Sequence, residues 1–199
     1  MTAWTRPAPT DPACRPALFL DRDGVVIRDC HYLADPGLVE LLGGVPDLFT
    51  RAQAAGFRVI GLSNQSGLGR GLISPEAFAA VTDRLVALLA EAGTSFDDFL
   101  YCPHAPDEGC HCRKPRPGLL EEAAARSRID LPRSWMVGDK VSDIALGRDA
   151  GMGAILVRTG YGKGSEAEVL DRWANDSRVR VVDDLTGVWP IVSANPDGV

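Results

Sequence analysis

A chain of 199 residues is long enough to bury a core without disulfide or metal staples. Its 27 acidic against 21 basic residues give a formal charge of -6, which opposes any function based on neutralising nucleic-acid phosphates. Hydrophobic residues at 45% and charged residues at 24% are those of a soluble globular protein, and no stretch approaches the ~18 apolar residues of a membrane span.

In chain order, residues 1–15 are rich in Pro, Ala and Thr without the apolar core of a signal peptide, and predict a disordered lead to a cytoplasmic protein. A single domain is expected over 16–190 and a loose tail over 191–199. Ala17 to Leu20 predicts the first strand, Pro46 to Ala55 a helix and Phe57 to Ser63 the second strand. Ser74-Pro75 supplies an N-cap and a Pro at the first helical position. The helix it opens runs towards Gly93, with Phe78, Val81, Leu85, Leu88 and Leu89 on one face. Then come a strand at Phe99 to Cys102, a helix at Gly118 to Ser127, and a strand at Trp135 to Gly138. A helix at Val141 to Ala150, closed by Gly151, leads to a strand at Gly153 to Val157. Last are a helix at Glu166 to Trp173 and a strand at Val179 to Val182. This alternation predicts an α/β fold, a Rossmann-like parallel sheet flanked by helices.

Open parallel sheets bind ligands at the carboxyl ends of their strands, so the residues after each strand carry the functional information. Asp21 and Asp23 follow the first. Two residues apart in extended chain, their side chains lean to one side. One carboxylate can attack phosphorus while the other protonates the leaving oxygen and later activates water, with a divalent cation screening the charge. Alone, the run Asp21-Arg22-Asp23-Gly24 is equally a polar turn. Asp139 follows the fourth strand with Lys140 beside it. A hard cation such as Mg2+ takes one or two carboxylates plus waters, and Asp21, the Asp23 region and Asp139 suit it. Asp139 or Ser142 can also simply cap the next helix, with Asp143 supporting its start. After the second strand, Ser63-Asn64-Gln65-Ser66-Gly67 offers a hydroxyl, amides and backbone N–H groups suited to phosphate oxygens.

The third strand ends in Cys102, His104, Cys110 and Cys112, spaced C-x-H-x5-C-x-C, enough for a closed Cys3His structural zinc site. His111 points elsewhere in this reading and is an alternative to His104; three thiols that merely fill space are the bland alternative. Arg113 and Lys114 follow at once. A zinc-pinned loop would hold these two cations over the site, one for the transferring phosphoryl group and one for a distal anion.

Taken in order, Asp21-x-Asp23, Ser63, Lys114 and Asp139 resemble the haloacid dehalogenase (HAD) superfamily of phosphohydrolases, over residues 17–160. The Cys112-Arg113-Lys114-Pro115 end of the zinc loop, Asn64-Gln65-Ser66-Gly67, Arg70-Gly71 and Val137-Gly138-Asp139-Lys140 resemble the D-glycero-D-manno-heptose 1,7-bisphosphate 7-phosphatase family. The resemblance implies a minimal cap and removal of the 7-phosphate through an aspartyl-phosphate, in nucleotide-activated heptose biosynthesis. It implies Asp21 as nucleophile, Asp23 as general acid/base, and catalytic Mg2+ on Asp21, Asp23 (through its carbonyl) and Asp139. Structural Zn2+ would sit on Cys102, His104, Cys110 and Cys112. Ser63 and Lys114 would hold the phosphoryl group, and Arg113 the anomeric phosphate. Asp29, His31, Tyr32, Asn64, Gln65, Ser66 and Lys140 are the further implied substrate contacts. The family often has Gly where Cys30 stands and Thr at 63. A histidinol-phosphate phosphatase is the alternative, disfavoured by Ser66 and by Arg70-Gly71. A zinc-stabilised binding module with a decayed phosphatase fold is the non-enzymatic one, disfavoured by the intact carboxylates. The expected partner is a small phosphorylated sugar, with no nucleic acid and no membrane, and the expected state is a monomer.

Overall fold

The computed structural model describes residues 13–194. Each predicted apolar run becomes a strand: β1 (Ala17–Leu20), β2 (Arg58–Asn64), β3 (Asp98–Cys102), β4 (Trp135–Gly138), β5 (Gly153–Val157) and β6 (Val179–Val182). They form one parallel sheet in the order β3-β2-β1-β4-β5-β6. The helices are α1 (Val45–Ala54), α2 (Ser66–Gly69), α3 (Pro75–Glu91), α4 (Gly118–Arg126), α5 (Val141–Asp149), α6 (Gly162–Arg172) and α7 (Val188–Ala194). Between β1 and α1 the chain holds only a 3-10 turn, Pro36–Leu38, which agrees with a minimal cap.

Local chemistry explains most boundaries. Ser74 Oγ accepts the Ala77 N–H and Pro75 opens α3, whose buried stripe is Phe78, Val81, Leu85 and Leu89. β2 starts one residue later than expected because the Phe57 N–H closes α1 onto Ala52 O. α6 starts earlier than expected, in a Gly-Lys-Gly-Ser run that carries no helix signal. Its first N–H groups close on Tyr161 O, and Ser165 Oγ donates to Asp139 O at 3.0 Å. The single turn α2 and the terminal α7 have no counterpart in the sequence reading.

Successive residues of β1 face opposite layers, as the strand period requires. Leu18 and Leu20 pack with Val59, Val137 and Val157 under α1, α3 and α7. Ala17 and Phe19 pack with Ile60, Leu62 and Met136 under α4 and Leu146 of α5, while Ile144, Leu156 and Val169 join α5 to α6. Connections run to opposite sides of the sheet on either side of the β1/β4 pair, so the crevice beyond the carboxyl ends of these two strands is where a ligand fits. Of the expected lead and tail, residues 1–12 and 195–199 lie outside the described residues. Arg15 exchanges backbone hydrogen bonds with residues 128 and 130, and residues 191–194 end α7. No described helix is long and apolar enough to cross a membrane.

Leu85, 1% exposed at the centre of the α3 stripe, tests this packing. Leu85→Ala is expected to cost about 2–5 kcal/mol in urea unfolding; a loss under about 1 kcal/mol would contradict it.

Candidate active site

At the end of β1 the Asp21 N–H still donates into the ladder, to Val137 O at 3.0 Å, so the sheet itself fixes where this carboxylate begins. The chain then turns back on Arg22 O, which accepts from Val26 and Ile27. Gly24 makes the turn possible at φ 81°, and a Cβ there would lie 2.3 Å from Asp139 Oδ2. From the other side Gly160, at φ 52°, crowds the same oxygen, with a Cβ position 2.2 Å away.

Asp21 is buried, and its Oδ1 lies 3.1 Å from Lys114 Nζ and accepts the Arg22 N–H at 2.8 Å. Lys114, 3% exposed, is enclosed by carboxylates and carbonyl: its Nζ also lies 2.7 Å from Asp143 Oδ1 and donates to Leu62 O at 2.5 Å. Burial alone would raise the Asp21 pKa, but the charges of Lys114 and Lys140 outweigh it and hold Asp21 below the usual carboxylate value. Burial likewise pulls Lys114 down, and Asp143 and Asp21 together push it above its ordinary value. The pair is therefore ionised, which is the form of a carboxylate that attacks.

Asp139 is fully buried. Its Oδ2 accepts the Tyr161 N–H at 2.8 Å, while Oδ1 has no hydrogen-bond partner among the described residues and lies 3.3 Å from Lys140 Nζ. Burial, reinforced by Asp21, raises its pKa to about 7. Carboxylate oxygens of Asp21, Asp139 and Asp143 lie within 4.8 Å of one another. Among the described residues Lys140 is the one cation beside the Oδ1 oxygen of Asp139, which is buried, makes no hydrogen bond there and faces two other carboxylates, so the donor set fits a hard divalent cation. The Asp23 side chain is not in this group.

The second cluster joins Cys102, at the end of β3, to His104, Cys110 and Cys112, also within 4.8 Å. Cys102 Sγ lies 3.5 Å from Cys110 Sγ and 3.6 Å from His104 Nδ1, which is 3.2 Å from Cys112 Sγ. A tetrahedron on metal–sulfur bonds of about 2.3 Å has edges of about 3.7 Å, so the donors fit zinc. His111 is outside the cluster, its Nε2 2.7 Å from Glu121 Oε2 on α4.

Past this cluster the loop is stitched to β2. Asn64 Oδ1 accepts the Lys114 N–H at 3.0 Å, and Asn64 Nδ2 donates to Lys114 O at 3.2 Å. Gln65 is similarly occupied: its Nε2 donates to Asp23 Oδ2 and to Ser63 Oγ, both at 2.8 Å. All eight expected substrate contacts line one cavity of about 360 Å3, together with Asp21, Asp23 and Lys114. Ser63 and Asp139 are buried and do not line it. Arg113 lies on its wall with Nη1 buried and without a partner among the described residues.

The rim departs from the expected pattern. The left-handed backbone that favours Gly falls at His31 (φ 44°) and Tyr32 (φ 33°), not at Cys30. Asp29 Oδ1 accepts the His31 N–H at 2.8 Å, His31 Nδ1 lies 2.9 Å from Tyr161 Oη, and Arg70 donates to Tyr32 Oη at 2.9 Å. Tyr161, whose ring sits 4.7 Å under Lys140 Nζ, was not anticipated from sequence. It follows β5 after Arg158-Thr159-Gly160, a stretch with no carboxylate or thiol to mark it. Arg22 was missed as well, although a charged residue between two carboxylates at a strand end is itself a signal.

Comparison with known proteins shows what the chain as a whole is similar to. The HAD-hydrolase-like family profile matches residues 111–188. A D-glycero-beta-D-manno-heptose-1,7-bisphosphate 7-phosphatase of Yersinia pestis is 38% identical over 170 residues, 81% of this chain and 90% of the relative. That of Helicobacter pylori (strain J99 / ATCC 700824) is 40% identical over 135 residues, 67% of this chain and 78% of the relative. The solved structure of D,D-heptose 1,7-bisphosphate phosphatase from B. bronchiseptica, complexed with magnesium and phosphate, superposes with a TM-score of 0.80 at 34% identity. The match covers 90% of this chain and 99% of that one.

Asn64 tests the stitch. Asn64→Ala removes both side-chain bonds to the Lys114 backbone and is expected to cost about 1–3 kcal/mol of stability, with a lower kcat. Unchanged unfolding and turnover would show that the loop needs no such tie.

Proposed function

We infer the activity from one premise: the chain belongs to the D-glycero-beta-D-manno-heptose-1,7-bisphosphate 7-phosphatase family of HAD-like hydrolases. It is a phosphomonoester hydrolase that removes the 7-phosphate of D-glycero-D-manno-heptose 1,7-bisphosphate, and we expect the β anomer that its relatives' names carry. The observation that supports this best is the Lys114 ammonium bridging Asp21 and Asp143 beside a cavity whose wall also holds Arg113.

In the proposed reaction Asp21 Oδ attacks phosphorus, the aspartyl–phosphoryl bond forms and the bond to the sugar oxygen breaks. Asp23 gives that oxygen a proton, then takes one from the water that hydrolyses the aspartyl-phosphate. Lys114 faces the phosphoryl oxygens as well as Asp21, and Ser63, buried behind the cavity wall, backs that pocket by holding the Gln65 amide. Arg113, with an unbonded guanidinium nitrogen, binds the anomeric phosphate in the two-pronged geometry available to Arg. Magnesium held by Asp21, Asp139 and the Asp23 carbonyl would neutralise charge on the transferring group. Zinc on Cys102, His104, Cys110 and Cys112 would keep the loop that carries Arg113 and Lys114 in shape. A monomer acting in the cytoplasm on a small sugar phosphate completes the reading.

Phosphate release from both heptose bisphosphate anomers, histidinol phosphate and a 3'-phosphorylated oligonucleotide is expected to be fastest for the β bisphosphate. In the same assay Arg113→Ala is expected to lower the preference for bisphosphate over monophosphate by about 10–100-fold, in line with loss of a charged hydrogen-bonded contact. Faster release from histidinol phosphate, or an unchanged preference, would overturn these assignments. Elemental analysis of protein purified without chelators is expected to find one zinc per chain, lost on Cys110→Ser; metal-free wild-type protein would remove zinc from the account.

A further inference from the structure

The residue between the two motif carboxylates is itself one of the most enclosed side chains of the protein. Arg22 is 1% exposed, and its guanidinium meets Asp23 with both Nε and Nη2. Nε lies 3.2 Å from each Asp23 oxygen, and Nη2 lies 2.9 Å from Oδ1 and 2.8 Å from Oδ2. Nη2 also donates to Gln65 Oε1 at 3.0 Å, while Gln65 Nε2 donates to Asp23 Oδ2 and Ser63 Oγ, each at 2.8 Å. Beneath the guanidinium sits the Phe78 ring of α3, its centroid 5.6 Å from Cζ. The Asp23 side chain, 20% exposed, is the most open part of this network, and Arg22 and Gln65 line the cavity beside it.

Burying a guanidinium is unfavourable, the more so here because Nη1 has no hydrogen-bond partner among the described residues, and an apolar side chain at position 22 would pack against Phe78 without that cost. What the charge adds is control of one torsion. A free carboxylate on a short side chain turns about its terminal bond, because sp3–sp2 torsions are broad. Here a fork-shaped cation grips both oxygens and an amide holds Oδ2, and the amide is fixed in turn by the Ser63 hydroxyl. We propose that Arg22, acting with Gln65, is the positioning residue that sets the direction in which Asp23 presents its carboxyl group to the leaving oxygen. The proposal rests on the proposed phosphatase reaction and adds to it a residue that acts on the leaving oxygen through Asp23.

The consequence is specific to the leaving group. A sugar oxygen departs as a poor leaving group and needs its proton delivered along the right line, whereas nitrophenolate leaves without one. Because kcat/KM covers only steps up to departure of the leaving group, later hydrolysis of the aspartyl-phosphate does not enter. The test is the ratio of kcat/KM for the heptose bisphosphate to that for p-nitrophenyl phosphate. A ratio is insensitive to the fraction of active enzyme. In Arg22→Met it is expected to fall about 10²-fold, in the range a positioned general acid contributes, and to be partly restored in Arg22→Lys. A ratio within about threefold of wild type, with both substrates slowed alike or neither slowed, would overturn the proposal. If Arg22→Met does not fold, Gln65→Leu removes the other grip and carries the same comparison. If the wild-type protein hydrolyses another primary alkyl phosphate but not the heptose bisphosphate, the substrate assignment fails and the same ratio, taken with that ester, still decides the role of Arg22.

Discussion

A lysine ammonium with 3% of its surface exposed is tolerable only if its charge is met, and at Lys114 it is, by the carboxylates of Asp21 and Asp143 at ion-pair distance and a hydrogen bond to Leu62 O. Desolvating such a charge costs several kcal/mol or so if it is left unpaired. The rest of the site can be seen as what brings those partners to one point. Asp21 arrives on β1, Leu62 on β2 and Asp143 on the first turn of α5, three elements that meet only because β1 lies between β2 and β4. Lys114 itself comes from a loop with no strand to hold it, and two bonds to Asn64 and the cysteine–histidine cluster take the strand's place.

The same electrostatics explain why the site invites a cation and an anion together. Lys114 and Lys140 keep Asp21 ionised, yet Asp139 is pushed up to about 7 with a buried oxygen unbonded. Lys140 beside Asp139 does not offset the burial that raises it. A divalent ion placed at Asp139 and a phosphoryl group placed beside Lys114 would satisfy both at once. Glycines 24 and 160 matter here as empty space, since a Cβ on either would strike Asp139 Oδ2.

Much of this was legible in the sequence because it depends on short spacings. Each strand announced itself by an apolar run, and the cysteine–histidine spacing named the four donors with His111 as an alternative to His104; the fold instead sets His111 against Glu121. Asp143 was read as a residue supporting the start of α5; its Oδ2 does accept the Lys140 N–H, but its other oxygen faces Lys114. What spacing does not show is which partner a polar side chain chooses across the fold. Asn64 and Gln65 read as substrate ligands, and they line the cavity, but their amides are committed to Lys114, Ser63 and Asp23. The positive φ at His31 and Tyr32 and the link from His31 to Tyr161, residues 130 positions apart, are invisible to any local pattern.

Every role assigned here follows from Asp21 being the atom that meets phosphorus. Enzyme mixed with the heptose bisphosphate and quenched in acid within milliseconds, then digested and weighed peptide by peptide, tests that directly. The account predicts a phosphoryl group on the peptide containing Asp21, absent from Asp21→Asn. Turnover with the phosphoryl group on another side chain, or undiminished turnover by Asp21→Asn, would contradict it.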